Sequence, residues 1–229
     1  MVNQINGPLM RARFSTRCGF GLLLWAATVT GGLAQVPSNA PRPARAEPHQ
    51  SNYHGGLVSP PLPKPTFTLT DTSSTDFDFH ARTQGYVTLL FFGYTHCPDM
   101  CPMQMSMIGD ALRKLPPALA GQFKVVFVTT DPARDTPQVL RRYLDHFNKG
   151  FIGLTGSQEA IDAAQMSASL PTAKKGTLRP DGNYEVGHSA FVLAYTKDNL
   201  AHVIYPLGLK TEDWVHDLPI LISETWATP

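Results

Sequence analysis

Tyr86-Val87-Thr88-Leu89-Leu90-Phe91-Phe92-Gly93-Tyr94-Thr95-His96-Cys97-Pro98-Asp99-Met100-Cys101-Pro102 is the stretch from which the fold of this chain is read. Tyr86 to Phe92 is a nearly unbroken run of apolar, β-branched and aromatic residues, the pattern of a strand covered on both faces. Gly93 ends it. Pro102 has no N–H to give to a helix interior but suits the first helical turn, so a helix is expected from close to Cys101 to about Leu115. Ile108, Leu112 and Leu115 fall on one face of that helix, and Pro116-Pro117 stops it. Both thiols then lie in the loop and first turn at a helix N-terminus, where the helix dipole favours thiolate over thiol.

Working outward, Phe67 to Thr70 and Phe77 to Phe79 alternate apolar and polar residues and predict two short edge strands as an N-terminal β extension. Phe123 to Thr129 predicts a second buried strand. Asp131-Pro132-Ala133-Arg134-Asp135-Thr136-Pro137 is a turn into a helix, with Thr136 as its N-cap and Pro137 at its first position. Val139, Leu140, Tyr143, Leu144 and Phe147 recur at helical spacing after it. Phe151 to Leu154 reads as a short strand and Ser157 to about Leu170 as an Ala-rich helix. A polar loop with Pro171, Gly176, Pro180 and Gly182 follows. Ala190 to Tyr195 and His202 to Tyr205 are strands joined at Lys197-Asp198-Asn199, and Thr211 is expected to cap a last helix that Pro219 kinks or ends. No internal repeat is present. Strands alternating with helices, then a hairpin and a helix, argue for one α/β domain with a mixed central sheet flanked by helices, spanning residues 66–229.

The composition suits that reading. The chain has 229 residues, 42% of them hydrophobic, enough for one substantial core. With 19 basic and 18 acidic residues it carries a formal charge of +1, which gives no electrostatic case for nucleic acid as a partner. Three cysteines are too few for a disulfide scaffold. Cys18 stands apart near the N-terminus, ahead of the apolar run, where a lipidated cysteine would follow it. Arg11, Arg13 and Arg17 precede apolar residues 19–34, no acidic residue occurs before Glu47, and Gly32-Leu33-Ala34 offers the small residues of a cleavage site. As a helix this run reaches roughly 24 Å, short of the ~30 Å hydrocarbon core. Residues 1–35 are therefore expected to be a signal peptide or N-terminal membrane anchor. Residues 36–65, rich in Pro, Ser, Asn and Ala, are expected to form a flexible tether containing His49 and His54 as solvated histidines.

A strand, a cysteine-bearing loop and a helix N-terminus make the thioredoxin arrangement. Redox motifs of that kind usually place two residues between the cysteines; here three intervene, Pro98, Asp99 and Met100. The pair can close a disulfide, exchange electrons or hold a soft metal ion. Two sulfur donors favour Cu(I), and a neutral imidazole as third donor accepts either copper oxidation state. His188, at the entry to the Ser189 to Tyr195 strand, is the candidate, since the preceding loop can fold back over the cysteine-bearing helix end.

The motif at 92–102, with Thr130 to Pro137, Gly153-Leu154-Thr155-Gly156 and Gly187-His188-Ser189 in order, resembles the Sco/SenC family over roughly Phe67 to Trp226. The resemblance implies a thioredoxin-like domain, exported or membrane-tethered, that binds copper as Cu(I) or Cu(II) through Cys97, Cys101 and His188. It further implies a metallochaperone assisting assembly of the CuA centre of cytochrome c oxidase, with the oxidase's copper-receiving subunit and other copper chaperones as partners. The location implied is the periplasm or the outer face of the bacterial inner membrane, in preference to the mitochondrial inner membrane. The alternative is a thiol–disulfide oxidoreductase using Cys97 and Cys101 to reduce the cysteines of that copper site or of other exported proteins. One departure stands out: the family usually has an acidic residue before the ligand histidine, and this chain has Gly187.

Other residues are read more plainly. His96 is expected to point away from its neighbouring cysteine and to hydrogen-bond within the loop. Met100, Met103, Met105 and Met107 suit a core or partner surface, with copper transfer over thioethers as the sharper alternative. Asp131 and Asp135 are expected as turn and capping residues, with Arg134 pairing to one of them.

Overall fold

The structure is a computed structural model, and it describes residues 52–226. Three chain segments build its first third: strand β1 (Gly56–Pro63), the hairpin β2 (Thr68–Asp71) and β3 (Asp76–Asp78), and the short helix α1 (Phe79–Thr83). Next come β4 (Val87–Gly93), α2 (Met100–Lys114), α3 (Pro117–Ala120), β5 (Phe123–Thr129), α4 (Pro137–Asp145), β6 (Ile152–Thr155) and α5 (Gln158–Ser167). The small strands β7 (Lys174–Lys175) and β8 (Val186–Gly187), then β9 (Val192–Tyr195), β10 (Leu200–Tyr205) and α6 (Thr211–Ser223) complete it.

The main sheet has the order β1-β10-β9-β4-β5-β6-β2-β3. β4, β5 and β6 run parallel to their neighbours in that trio, with Phe91 opposite Phe127, and the remaining pairs are antiparallel. The unbroken apolar runs of the central strands follow from cover on both faces. Val87, Leu89 and Phe91 of β4 and Phe123, Val125 and Phe127 of β5 face α2, α4 and α6. Leu90, Phe92, Val126 and Val128 face the opposite way, against Phe79 of α1 and Ile161 and Ala164 of α5. α2 buries Cys101, Met105, Ile108 and Leu112, so the thiol-bearing turn is packed as part of the core.

Local rules explain most element ends. Thr136 caps α4 through its hydroxyl, which accepts from Val139 N, and Ser157 caps α5 by accepting from Ala160 N. Helix α4 stops at Asp145, so Phe147 packs on the core from the turn beyond it. α2 starts at Met100, which puts Pro102 at its third position, still among the N–H groups that have no partner within a helix.

Expectations for three segments are corrected. The segment expected as a tether up to residue 65 contains strand β1, with Leu57 opposite Val203 and Leu62 opposite Ala201. Its prolines are tolerated because it is an edge strand with a register irregularity between Leu57 and Leu62. Tyr53 is buried against the core ahead of it, and a side chain at Gly55 would meet Val203 and Tyr205 within 2.5 to 2.8 Å. Helix α6 is capped by Lys210, with the Asp213 carboxylate accepting from Lys210 N at 2.8 Å, and Thr211 is its first residue. It also continues through Pro219: burial of Trp214, Leu218 and Leu221 outweighs the one backbone bond a proline removes. Finally, the polar loop after α5 is not wholly irregular, because Lys174 pairs with Gly187 and Lys175 with Val186. The expectations for residues 1–35, for Cys18 and for His49 fall outside the described residues.

Candidate metal centre

The sulfur of Cys97 takes the place of a helix cap. Asp99, the N-cap of α2, makes no side-chain cap bond, and Cys101 N donates to Cys97 Sγ at 3.4 Å instead. Cys97 N is itself held by Tyr94 O at 3.2 Å. Cys97 is 7% exposed, Cys101 is fully enclosed, and both are free thiols. The Cys101 thiol hydrogen-bonds to Cys97, and backbone N–H groups of the first turn add to it, so the Cys97 pKa is pushed down to about 5 against the opposing effect of burial. Cys101 moves the other way: serving as donor to Cys97 and losing solvent hold its proton in place well above the usual thiol range. Gly93 is required beneath this pair, because a Cβ there would stand 2.9 Å from Phe91 and Phe127 and 3.0 Å from Cys101 Sγ.

His188 comes from the far side of a cleft of about 440 Å³ that Cys97, Asp99 and Met100 share with residues 185–188. Its Nδ1 lies 3.0 Å from the Ser189 carbonyl, which accepts the Nδ1–H and leaves the Nε2 lone pair free. That Nε2 lies 3.5 Å from Cys101 Sγ. Tyr94 and Phe91 meet the imidazole in T-shaped contacts, with centroids at 5.6 and 6.1 Å. A backbone carbonyl thus orients the ring from its outer nitrogen, a task for which carboxylates are common. Gly187, where the family usually has an acid, has Lys174 O at 3.7 Å from a Cβ built on it, so a side chain has room there.

Two buried polar assemblies position these elements; the expected Arg134–Asp131 pair is part of one of them, while the long-range partners of both aspartates go beyond turn and capping roles. Asp135, fully buried, accepts from Thr95 N at 2.9 Å, Thr95 Oγ1 at 2.5 Å and Thr129 Oγ1 at 2.7 Å, tying the cysteine loop to the end of β5. Asp131 accepts from Tyr184 OH at 2.7 Å and pairs with Arg134. The Arg134 guanidinium lies 3.6 Å from the Tyr184 ring centroid and donates to Tyr184 O at 3.1 Å. This clamp fixes the base of the loop that carries His188. The available signal was the density of Thr, Asp and Arg directly after a buried strand, at 129–136, which exceeds what a turn and a cap need.

Cys97, Cys101 and His188 each offer one ligand atom, all within 4.8 Å of one another. Two sulfurs and one neutral imidazole nitrogen, with no oxygen donor, suit a soft or borderline ion with a vacant coordination position. The other candidates lie elsewhere. His96 turns to Thr95 Oγ1 at 3.1 Å and Asp135 Oδ1 at 3.6 Å. Met105 is buried in the core and Met107 packs partly against it, while Met100 and Met103 are 42% and 40% exposed beside the cysteine turn. His54, expected to be solvated, is bonded to Asp217, with Nδ1 at 2.9 Å from Oδ1. Among the described residues no helix is long and apolar enough to cross a membrane.

The arrangement has close counterparts. The chain is 30% identical over 217 residues to the mitochondrial protein SCO2 of Saccharomyces cerevisiae, covering 92% of this chain and 69% of that one. The solution structure of apo Sco1 from Thermus thermophilus superposes with a TM-score of 0.66 at 33% identity, over 74% of this chain and 97% of the other. The structure of Bradyrhizobium japonicum ScoI with copper bound gives 0.62 at 32%, over 70% and 99%. These Sco proteins share the thioredoxin-like architecture described above. Residues 59–223 match the SCO1/SenC family model, and the chain belongs to that family.

Proposed function

We propose that this protein is a copper carrier that helps to assemble the copper centre of cytochrome c oxidase. Copper is its cargo. The thiolates of Cys97 and Cys101 and Nε2 of His188 would take up the ion, as Cu(I) or Cu(II), and release it to the copper-receiving subunit of the oxidase. The observation that carries the reading is the convergence of three donors from segments 87 residues apart, Cys101 Sγ and His188 Nε2 standing 3.5 Å from each other. The copper-bound structures of relatives from Bradyrhizobium japonicum and yeast support it. Uptake needs both sulfurs reduced and deprotonated, so copper binding releases protons and weakens at acid pH. The N-terminal sequence favours work in the cell envelope, in the periplasm or on the outer face of the inner membrane.

A second reading is favoured by the unequal placement of the free thiols, Cys97 at the cleft and Cys101 enclosed. In thiol–disulfide exchange, Cys97 thiolate attacks a target disulfide and expels one target thiolate. Cys101 thiolate then attacks the Cys97 sulfur, closes the Cys97–Cys101 disulfide and expels the second, so two electrons pass to the target. An exported dithiol reductant would have to restore the pair.

Copper stoichiometry separates the readings. The wild type is expected to retain one copper per chain through gel filtration, and Cys97→Ser, Cys101→Ser and His188→Ala to retain less. Equal retention by all four proteins refutes the carrier. Loss of disulfide reduction in the cysteine variants, with His188→Ala fully active and wild type holding no copper, selects the exchange enzyme.

A further inference from the structure

A second cluster of metal-ligating side chains is built where the segment before β1 crosses α6, with no residue in common with the cysteine cleft. Asp217 of α6 is fully buried. Its two oxygens are used differently. Oδ2 accepts from the backbone N–H of His54 at 2.8 Å and of Gly55 at 3.2 Å, which fixes the carboxylate and the chain ahead of β1. Oδ1 has no backbone donor and faces two imidazoles, His54 Nδ1 at 2.9 Å and His216 Nδ1 at 2.8 Å. The two rings meet edge to face with centroids 4.8 Å apart. Their side chains are 45% and 51% exposed, so two solvent-facing imidazoles lie against the buried oxygen.

We propose that His54, His216 and Asp217 hold a borderline divalent transition-metal ion, of the class of Zn(II), as a second metal site. One ligand atom from each of the three residues lies within 4.8 Å of the other two, and Nδ1 of both imidazoles stands within hydrogen-bond distance of Asp217 Oδ1. Two nitrogens and a carboxylate oxygen are borderline-to-hard donors, opposite in character to the sulfur-rich cleft. Ligand bonds of about 2.0–2.1 Å set tetrahedral ligand separations of roughly 3.3 Å. The present N···O separations open to that value by a small swing of the two exposed rings. A metal replaces the ring protons that now face Oδ1, and water takes the fourth position on the solvent side.

The surroundings match what a ligating histidine needs. When Nδ1 of a histidine binds metal, its Nε2–H requires an acceptor, and a carboxylate in that position orients the ring and strengthens the ligand. Asp213 Oδ1 stands 3.5 Å from His54 Nε2, and Asp213 is itself fixed by accepting from Lys210 N at 2.8 Å. His54 is thus held between two carboxylates, one at the metal position and one behind it.

The test uses the full chain in a Cys97→Ser/Cys101→Ser background, which silences the cleft, titrated with Zn(II) by calorimetry and by thermal melting. One Zn(II) per chain and a raised Tm are expected. Adding His54→Gln and His216→Gln should abolish both, while a far-ultraviolet spectrum verifies that the variant is folded. Asp213→Asn should weaken Zn(II) about tenfold or more. Cu(II) loaded into the same background should show an electron-paramagnetic-resonance signal coupled to two nitrogens, reduced to one by His216→Gln alone. Zn(II) uptake unchanged by the two glutamines, or no uptake in the Cys97→Ser/Cys101→Ser background, overturns the proposal and leaves Asp217 a hydrogen-bonded anchor.

Discussion

The two halves of the cleft are built to different standards. The thiol half is core. Cys101 is enclosed in the first turn of α2, Gly93 sits against its sulfur, and Asp135 ties the loop to β5 through three hydrogen bonds. The imidazole half is a long loop whose only regular structure is the two-residue pairing of β7 with β8, pinned through Arg134, Tyr184 and Asp131. A core-packed pair of sulfurs facing a loop-borne nitrogen suits the proposed carrier, which must bind an ion and then let it go. Release through movement of the loop leaves the core untouched.

The largest difference between the halves should appear in reactivity. With the Cys97 pKa near 5, iodoacetamide labelling of Cys97 should stay nearly constant from about pH 6.5 to 8 and fall as protonation sets in below about pH 6. An ordinary cysteine, with its pKa near 8.5, loses about tenfold per pH unit over that whole range. Cys101, buried and protonated, should label at least about a hundredfold more slowly in the same sample, as mass spectrometry of the peptides would show. Cys97 labelling that climbs steadily up to pH 9 would show that the pair is not polarised in this sense.

Next in size is Asp135→Ala. It strands two donors of Thr95 in the cysteine loop and one of Thr129 at the end of β5, and should cost about 3 kcal/mol in denaturant unfolding and lower copper retention through disorder of the cysteine loop. Tyr184→Phe removes one hydrogen bond from the loop clamp and should cost only about 1 kcal/mol or less. Its effect should fall instead on copper, as faster release to a chelator in stopped-flow transfer. If Tyr184→Phe destabilised the protein as much as Asp135→Ala, the contrast between a core-built and a loop-built half would fail.

The thiol half was legible in the sequence because its determinants are local. A continuous apolar strand, a glycine, two cysteines four apart and a proline specify strand, loop and helix start within 17 residues. His188 was a candidate from its place between a long loop and a strand, and the family pattern added to it, since no local rule brings a residue 87 positions away onto Cys101. Asp131 and Asp135 were read incompletely: the turn and the Arg134–Asp131 pair are present, but their partners Tyr184 and Thr95 lie 53 and 40 residues off, beyond the reach of a local reading. Strand β1 was missed because three prolines mask it, and its pairing with β10 is set by contacts across 140 or so residues. His54 followed it, since a histidine in a polar segment gives no sign of the buried Asp217 it meets.

The central claim, that one nitrogen and two sulfurs meet on one copper ion, is tested most directly by X-ray absorption of the copper-loaded protein. Two sulfur scatterers and one imidazole are predicted, with the imidazole signal gone in His188→Ala and one sulfur lost in Cys97→Ser. An imidazole signal that persists in His188→Ala, or a copper shell without sulfur in the wild type, would contradict it.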